Sequence, residues 1–256
     1  CRNITSINLS SFKSTEITDT SGMFQKCFNL KEIIFGDFNT EKVINMENMF
    51  SKCKALKKIV FPETFVTKKV TNMALMFFGC ENLEELNVLG FDTSNVTNMH
   101  GLFQDCFLLQ NLNLSSFKTD KVTDMSQMFL RCSELNEIKI NPYNFNTTKV
   151  TNMSRMFSEC SSLKDFTFSG LNTQNVEYMY EMFSKCKNFE TINLSSFSTE
   201  KLENMNKMFN DCINLKKIDL SSFRDKGDLE KNDLFINCYN LREIKAEQVI
   251  NRDFES

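Results

Sequence analysis

The sequence predicts an α/β solenoid of about nine stacked 26-residue repeats, each with a short parallel strand and a short return helix. Three observations predict it. Ten cysteines recur at intervals of 26 to 28 residues. A phenylalanine stands three residues before nine of them, and a leucine, or once Phe189, stands three residues after. Each unit combines apolar residues that alternate with a period of two and apolar residues that stand three apart. Regular self-similarity of this length is typical of proteins whose repeats stack on their neighbours. The cysteines are Cys1, Cys27, Cys53, Cys80, Cys106, Cys132, Cys160, Cys186, Cys212 and Cys238.

The strand is predicted by the pattern L-x-x-I-x-L that follows each cysteine. Its end alternates apolar and polar residues with a period of two, as a half-buried strand does. The first such segment is Ile4 to Leu9. Parallel strands pair at about 4.8 Å, so ten of them would form a sheet roughly 45 Å long.

The helix is predicted by the pattern V-x-x-M-x-x-M-F-x-x-C that precedes each cysteine. Apolar residues three apart share one face of a helix. In one unit these residues are Val43, Met46, Met49, Phe50 and Cys53. The Thr and Asn of "VTNM" are residue types that cap helix starts. A strand, a turn and a return helix make a solenoid of the leucine-rich-repeat type.

The repeat covers residues 1–256 as a single domain. Residues 1–23 form a partial first repeat. Residues 228–256 form a C-terminal capping repeat, in which Asp228 and Lys231 replace the usual Val and Met. Because Cys1 lies in register with Cys27, we interpret it as a repeat cysteine whose upstream unit is missing. The alternative is the acylated first residue of a lipoprotein.

Composition disfavours several classes of function. The net charge of −3 and the pI of about 5.5 differ from the basic charge that is typical of nucleic-acid-binding proteins. No apolar run is long enough to span a membrane. With a single histidine, His100, and no C-x-x-C pair, the sequence predicts no metal site. Glycine-loop, HExxH and GxSxG motifs are missing, so we expect no enzyme and no cofactor.

The cysteines are interpreted as buried free thiols, packed where helix meets strand. Disulfides between neighbouring rungs are an alternative, since stacked Cα atoms near 4.8 Å are close enough. In-register side chains, however, point the same way, and an S–S bond needs a large dihedral angle.

A ligand is expected on the strand side of the solenoid, which curvature makes concave in leucine-rich repeats. The outward side chains stand five and seven residues after each cysteine. The predicted partner-binding residues are Glu32, Ile34, Lys58, Val60, Glu85, Asn87, Asn111, Asn113, Glu137, Lys139, Asp165 and Thr167. Ile34 and Val60 form a small apolar pair, and the alternative is that all twelve are ordinary solvated positions.

The phrase "VTNMSRMFSECSSL", with "F-x-T" before it, resembles the BspA-like leucine-rich repeat surface proteins. More closely, it is similar to the 26-residue variety of mycoplasma-type lipoproteins. The resemblance covers nearly the whole chain and implies a cell-surface or secreted protein that binds host proteins, matrix or neighbouring cells. It implies no catalytic residues.

The first functional hypothesis is therefore a non-enzymatic adhesion module for protein or glycan partners. The alternatives are a scaffold solenoid within a larger assembly and an accessory domain of an enzyme. N-glycosylation, if the protein enters a eukaryotic secretory route, would use the sequons at Asn3, Asn95, Asn146 and Asn152.

Overall fold

The computed structural model describes residues 2–246 except residues 165, 167–169 and 226, and the chain winds there as a solenoid. One short strand follows most cysteines, and all paired strands are parallel. The strands are β1 (Ser6–Asn8), β2 (Glu32–Ile34), β3 (Lys58–Ile59), β4 (Glu85–Leu86), β5 (Asn111–Leu114), β6 (Glu137–Ile140), β7 (Thr191–Asn193), β8 (Lys217–Leu220) and β9 (Glu243–Ala246).

The sequence predicted one continuous sheet, and this prediction is wrong. Among the described residues the strands form separate short sheets. They pair as β1–β2, β3–β4, β5–β6 and β7–β8–β9. Within each sheet the register joins equivalent repeat positions, such as Ile218 with Ile244. The strand expected near Asp165 and Thr167 lies outside the described residues. The predicted positions of the other strands are confirmed.

A second column of parallel pairing runs on another side of the solenoid, eight residues before each cysteine. We call it the bridge ladder. It joins Asp19, Asn45, Asn72, Asn98, Asp124, Asn152, Tyr178, Asn204 and Glu230 without interruption.

The predicted return helices are wrong, because the described residues contain no α-helix. The N–H of Met49 donates to the carbonyl of Met46 at 3.2 Å, three residues back, where an α-helix would use the residue four back. The N–H of Met46 instead donates to Asn72 of the next rung at 3.0 Å. Donors thus alternate between the local turn and the neighbouring rung.

Two left-handed residues in each repeat interrupt any helix. They stand five residues and one residue before the cysteine, as Asn48 (φ 57°) and Lys52 (φ 60°) do before Cys53. A right-handed helix cannot pass through a residue with positive φ. Positive φ at the third residue of a turn is the signature of a type II turn. The three-residue spacing therefore builds successive turns.

The residues assigned to the helix face are nonetheless in the core, as predicted. Val43, Met46, Met49, Phe50 and Cys53 are fully buried. The phenylalanines three residues before each cysteine stack from Phe24 to Phe235, with ring centroids 5.3 to 5.8 Å apart. Stacked rings at this distance add attraction to the burial of their area.

The cysteines from Cys27 to Cys238 are free thiols, as interpreted from the sequence, and only Cys238 is partly exposed. They do not pack against helices. The Sγ of Cys53 donates instead to the carbonyl of Phe24 in the preceding rung at 3.1 Å, and the following cysteines do the same. Burial raises the pKa of Cys53 to about 12. Cys1 lies outside the described residues.

Across the described ranges, no helix has the length and apolar character needed to span a bilayer.

Candidate ligand-binding face

The strand face is the surface formed by side chains five and seven residues after each cysteine. In a strand these side chains point away from the core while the residue between them points inward. In β6, Ile138 is buried between exposed Glu137 and Lys139. The exposed predicted residues are Glu32, Ile34, Lys58, Val60, Glu85, Asn87, Asn111, Glu137 and Lys139, whereas Asn113 is half-buried. Asp165 and Thr167 lie outside the described residues.

The predicted apolar pair is exposed on this face. Ile34 keeps 41% and Val60 keeps 70% of its surface accessible to water. Two aliphatic side chains give a contact area too small to form an interface alone. They can add to a contact centred elsewhere on the face.

The charges at the C-terminal end of the face are paired internally. Lys217 reaches Glu243 at 2.7 Å, and Lys245 reaches Asp219 at 3.0 Å. A hydrogen bond from Ser221 and the ammonium of Lys245 lower the pKa of Asp219. In-register pairing of opposite charges across β8–β9 leaves few uncompensated groups there.

The sheet is interrupted between β4 and β5, as it also is between β2 and β3. The N–H of Glu84 donates to Lys57 at 2.8 Å, and the N–H of Asn136 donates to Gln110 at 2.8 Å. At the equivalent position between these two contacts, the N–H of Gln110 donates to no carbonyl of the described residues. An unpaired backbone amide at a sheet edge is available to a ligand.

An open groove of about 680 Å³ lies at this interruption. It is lined by Glu84, Glu85, Leu86, Asn87, Leu108, Gln110 and Asn111. Three of these residues, Glu85, Asn87 and Asn111, belong to the predicted partner-binding set. The structure therefore brings together one part of that set, while the rest is spread along the solenoid.

The groove offers hydrogen-bonding groups without a strong net charge. Lys57 pairs with Glu84 at 3.0 Å, and Lys58 is the strand partner of Glu85. Carboxylates accept hydrogen bonds, and the amides of Gln110 and Asn111 both donate and accept. The two leucines, Leu86 and Leu108, add apolar surface beside these polar groups.

The sequence did not single out Leu108 and Gln110. They stand two and four residues after Cys106, positions outside the strand alternation. No signal in the repeat distinguishes them, because they line a groove only where two equivalent strands fail to pair.

The four predicted glycosylation sites differ in their surroundings. Asn3 is exposed, and Asn152 is half-buried within the bridge ladder. The amide nitrogen of Asn95 donates to Lys68 at 2.8 Å, and that of Asn146 donates to Asp120 at 2.9 Å. A glycan attached to either nitrogen would replace these hydrogen bonds. Glycosylation stays a prediction.

A family model described as "Mycoplasma protein of unknown function, DUF285" matches residues 1–85, 57–164 and 133–247. The chain belongs to this family. The match confirms the resemblance to the 26-residue mycoplasma-type repeat. No curated protein matches the chain.

Solved structures of three bacterial proteins are similar to this chain. A leucine-rich repeat protein from Bacteroides ovatus is 19% identical, with 96% of this chain and 76% of that chain covered, at a TM-score of 0.44. A leucine rich cell surface protein from Faecalibacterium prausnitzii is 14% identical, with 96% and 88% covered, at 0.38. A leucine-rich repeat protein from Eubacterium ventriosum is 16% identical, with 94% and 72% covered, at 0.36.

Proposed function

We propose that the protein is a non-enzymatic recognition module, on the cell surface or secreted, that binds protein or glycan partners through its strand face. The groove between β4 and β5 carries this proposal. It joins hydrogen-bonding side chains, two leucines and an unpaired backbone amide at one place. Clefts with a few convergent polar groups are the usual sites of recognition.

The contrast along the strand face supports this location. At β7–β9 the exposed charges bind one another, so a partner would have to break ion pairs to reach them. At β4 and β5 the side chains of Glu85 and Asn111 are exposed. The Glu85 carboxylate has no ion pair in the described residues, whereas Glu84 beside it pairs with Lys57. A partner that binds Glu85 and Asn111 gains hydrogen bonds without breaking an ion pair.

The binding test uses the full chain and two arginine substitutions, Glu85→Arg and Asn111→Arg, which put long charged side chains into the groove. The measurement is binding to arrays of extracellular proteins and glycans, followed by affinity for each hit. We expect the double variant to lose the hits that the parent protein binds. Thr191→Arg, at the same repeat position in β7, is the matched control and should keep them.

Protease shaving of intact source cells tests the proposed localisation. Peptides of the exposed loop around Tyr143, which keeps 95% of its surface accessible, should be released from intact cells. Release only after lysis would contradict a surface location and favour the scaffold. Equal binding by the parent, the groove variant and the control would contradict the groove.

A further inference from the structure

A basic strip lies beside the bridge ladder, away from the strand face. We define it by four successive rungs, in each of which a buried valine separates two outward side chains. Its first column is Lys69, Asn95, Lys121 and Lys149, and its second column is Thr71, Thr97, Thr123 and Thr151.

The valines fix the outward direction of both columns. Val70, Val96, Val122 and Val150 are fully buried. The N–H of Thr97 donates to Thr71 at 2.8 Å, and the N–H of Thr123 donates to Thr97 at 2.9 Å, so adjacent rungs are held in register. With rungs about 4.8 Å apart, the three lysines span roughly 15 Å along the solenoid.

One lysine of the strip is oriented without being neutralised. The Nζ of Lys121 donates to the Oδ1 of Asn95 at 2.6 Å, and the Nδ2 of Asn95 donates to the carbonyl of Lys68 at 2.8 Å. A neutral amide positions the ammonium but leaves its charge for another anion. Lys42, two rungs before Asn95, contrasts with this because it forms an ion pair with Glu16 at 2.7 Å.

The other two lysines are also uncompensated. Lys69 and Lys149 are exposed, and within the described ranges neither ammonium has an ion pair. Three lysines on four successive rungs attract a polyanion, and they do so more strongly at low salt.

The threonine column supplies oriented hydrogen-bond acceptors. The hydroxyl of Thr97 donates to the carbonyl of Thr71 at 3.2 Å, and that of Thr123 donates to Thr97 at 3.3 Å. Because each hydroxyl proton is directed back along the ladder, the hydroxyl lone pairs remain to accept a hydrogen bond from a ligand. A ligand that carries both anionic groups and hydroxyl donors would satisfy both columns.

The surroundings limit the ligand to a narrow one. In the next two rungs the threonine position becomes Glu177 and Glu203, and Asp120 is exposed beside Lys121. A broad anionic surface would bring these carboxylates against its own charge. The side chains of the strip are aliphatic, so they give no ring on which nucleobases would stack.

We propose that the basic strip binds a linear anionic polysaccharide, lying along the solenoid with its acid groups on the lysines and its hydroxyls on the threonines. This site is separate from the strand face and does not depend on the function proposed for the groove.

The test measures binding of the full chain to immobilised dextran sulfate and to polygalacturonate, with neutral dextran as the uncharged control. Parallel use of the two polyanions distinguishes sulfate from carboxylate ligands. The triple variant Lys69→Gln, Lys121→Gln and Lys149→Gln should lose roughly tenfold in affinity or more, because three ionic contacts disappear. The control Lys13→Gln, Lys26→Gln and Lys187→Gln changes net charge equally at exposed lysines outside both the basic strip and the strand face, and it should bind as the parent does.

Three results would overturn the proposal. They are full affinity in the strip variant, an equal loss in the control variant, and tighter binding to phosphatidylglycerol vesicles or single-stranded DNA than to either polyanion. A supporting result also includes weaker binding with rising salt, with a shallower dependence in the strip variant.

Discussion

The bridge ladder and the strand ladder join the same rungs but hold them differently. Between the rungs at Asn72 and Asn98, the turn segment forms four successive backbone hydrogen bonds, from Met73, Leu75, Phe77 and Gly79, at 2.8 to 3.1 Å. On the strand side of the same two rungs, β4 and β5 are not paired. The backbone hydrogen bonds that hold neighbouring rungs together therefore lie mainly between the turn segments. On the strand side, neighbouring strands can separate without breaking these bonds.

The largest expected effect comes from the core that both ladders share. Phe129 is buried and stacks on Phe103 and Phe157 at 5.8 and 5.5 Å. Phe129→Ala should lower the free energy of unfolding by about 3–5 kcal/mol, since it removes buried area and leaves a cavity. Urea denaturation measures it. Phe12→Ala is the control, because Phe12 is 48% exposed in the first rung and should cost much less. Equal costs would mean that stacking in the interior adds nothing.

A glycine on the strand side tests how closely rungs approach there. Gly36 has φ +56°, and a Cβ at this position would lie 2.6 Å from the Cα of Ser10 in the preceding rung. Backbone cannot yield as a side chain can, so Gly36→Ala should destabilise by about 1–3 kcal/mol. In Gly90→Ala the new Cβ meets nothing within 4 Å, and thermal or urea unfolding should show little change. A neutral Gly36→Ala would show that the first two rungs separate easily.

The repeat length, the buried positions and most strand positions could be predicted from the sequence, because burial imposes a strict apolar period. The return helix could not. Apolar residues three apart fit one face of a helix and also fit successive three-residue turns. The residues that decide between them are Asn48, Leu75, Gln127 and Arg155, all with positive φ. Leucine, glutamine and arginine give no composition signal for that conformation.

One signal for the turns was present but had another interpretation. The Asn of "VTNM" is a residue type that caps helices and also one that initiates turns. It forms instead a turn in which the Oδ1 of Asn98 accepts the N–H of His100 at 2.9 Å. The groove was unpredictable for a different reason. The strands β4 and β5 follow the same pattern as strands that pair, so their separation depends on packing along the whole stack.

The asparagine turns on the two ladders allow a smaller test. Asn98→Ala removes the hydrogen bond to His100 from a rung paired on both sides, and should cost about 1 kcal/mol. Asn87→Ala removes the equivalent bond to the exposed Leu89 beside the interruption, at 3.1 Å, and should cost less. Urea unfolding of both variants measures the difference. The reverse order would show that the strand ladder is the tighter of the two.

Hydrogen exchange compares single backbone amides of the two ladders in the unsubstituted protein. The N–H of Asn136 donates to Gln110 at 2.8 Å, whereas the N–H of Gln110, a residue that lines the groove, has no described carbonyl partner. Gln110 should exchange far faster than Asn136, and Gly101, which donates to Ser126 at 2.9 Å, should be as slow as Asn136. A ligand that occupies the groove and accepts this hydrogen bond should slow Gln110 selectively. Equal protection of Gln110 and Asn136 in the free protein would mean that β4 and β5 pair in solution, and the groove would then be closed to any partner.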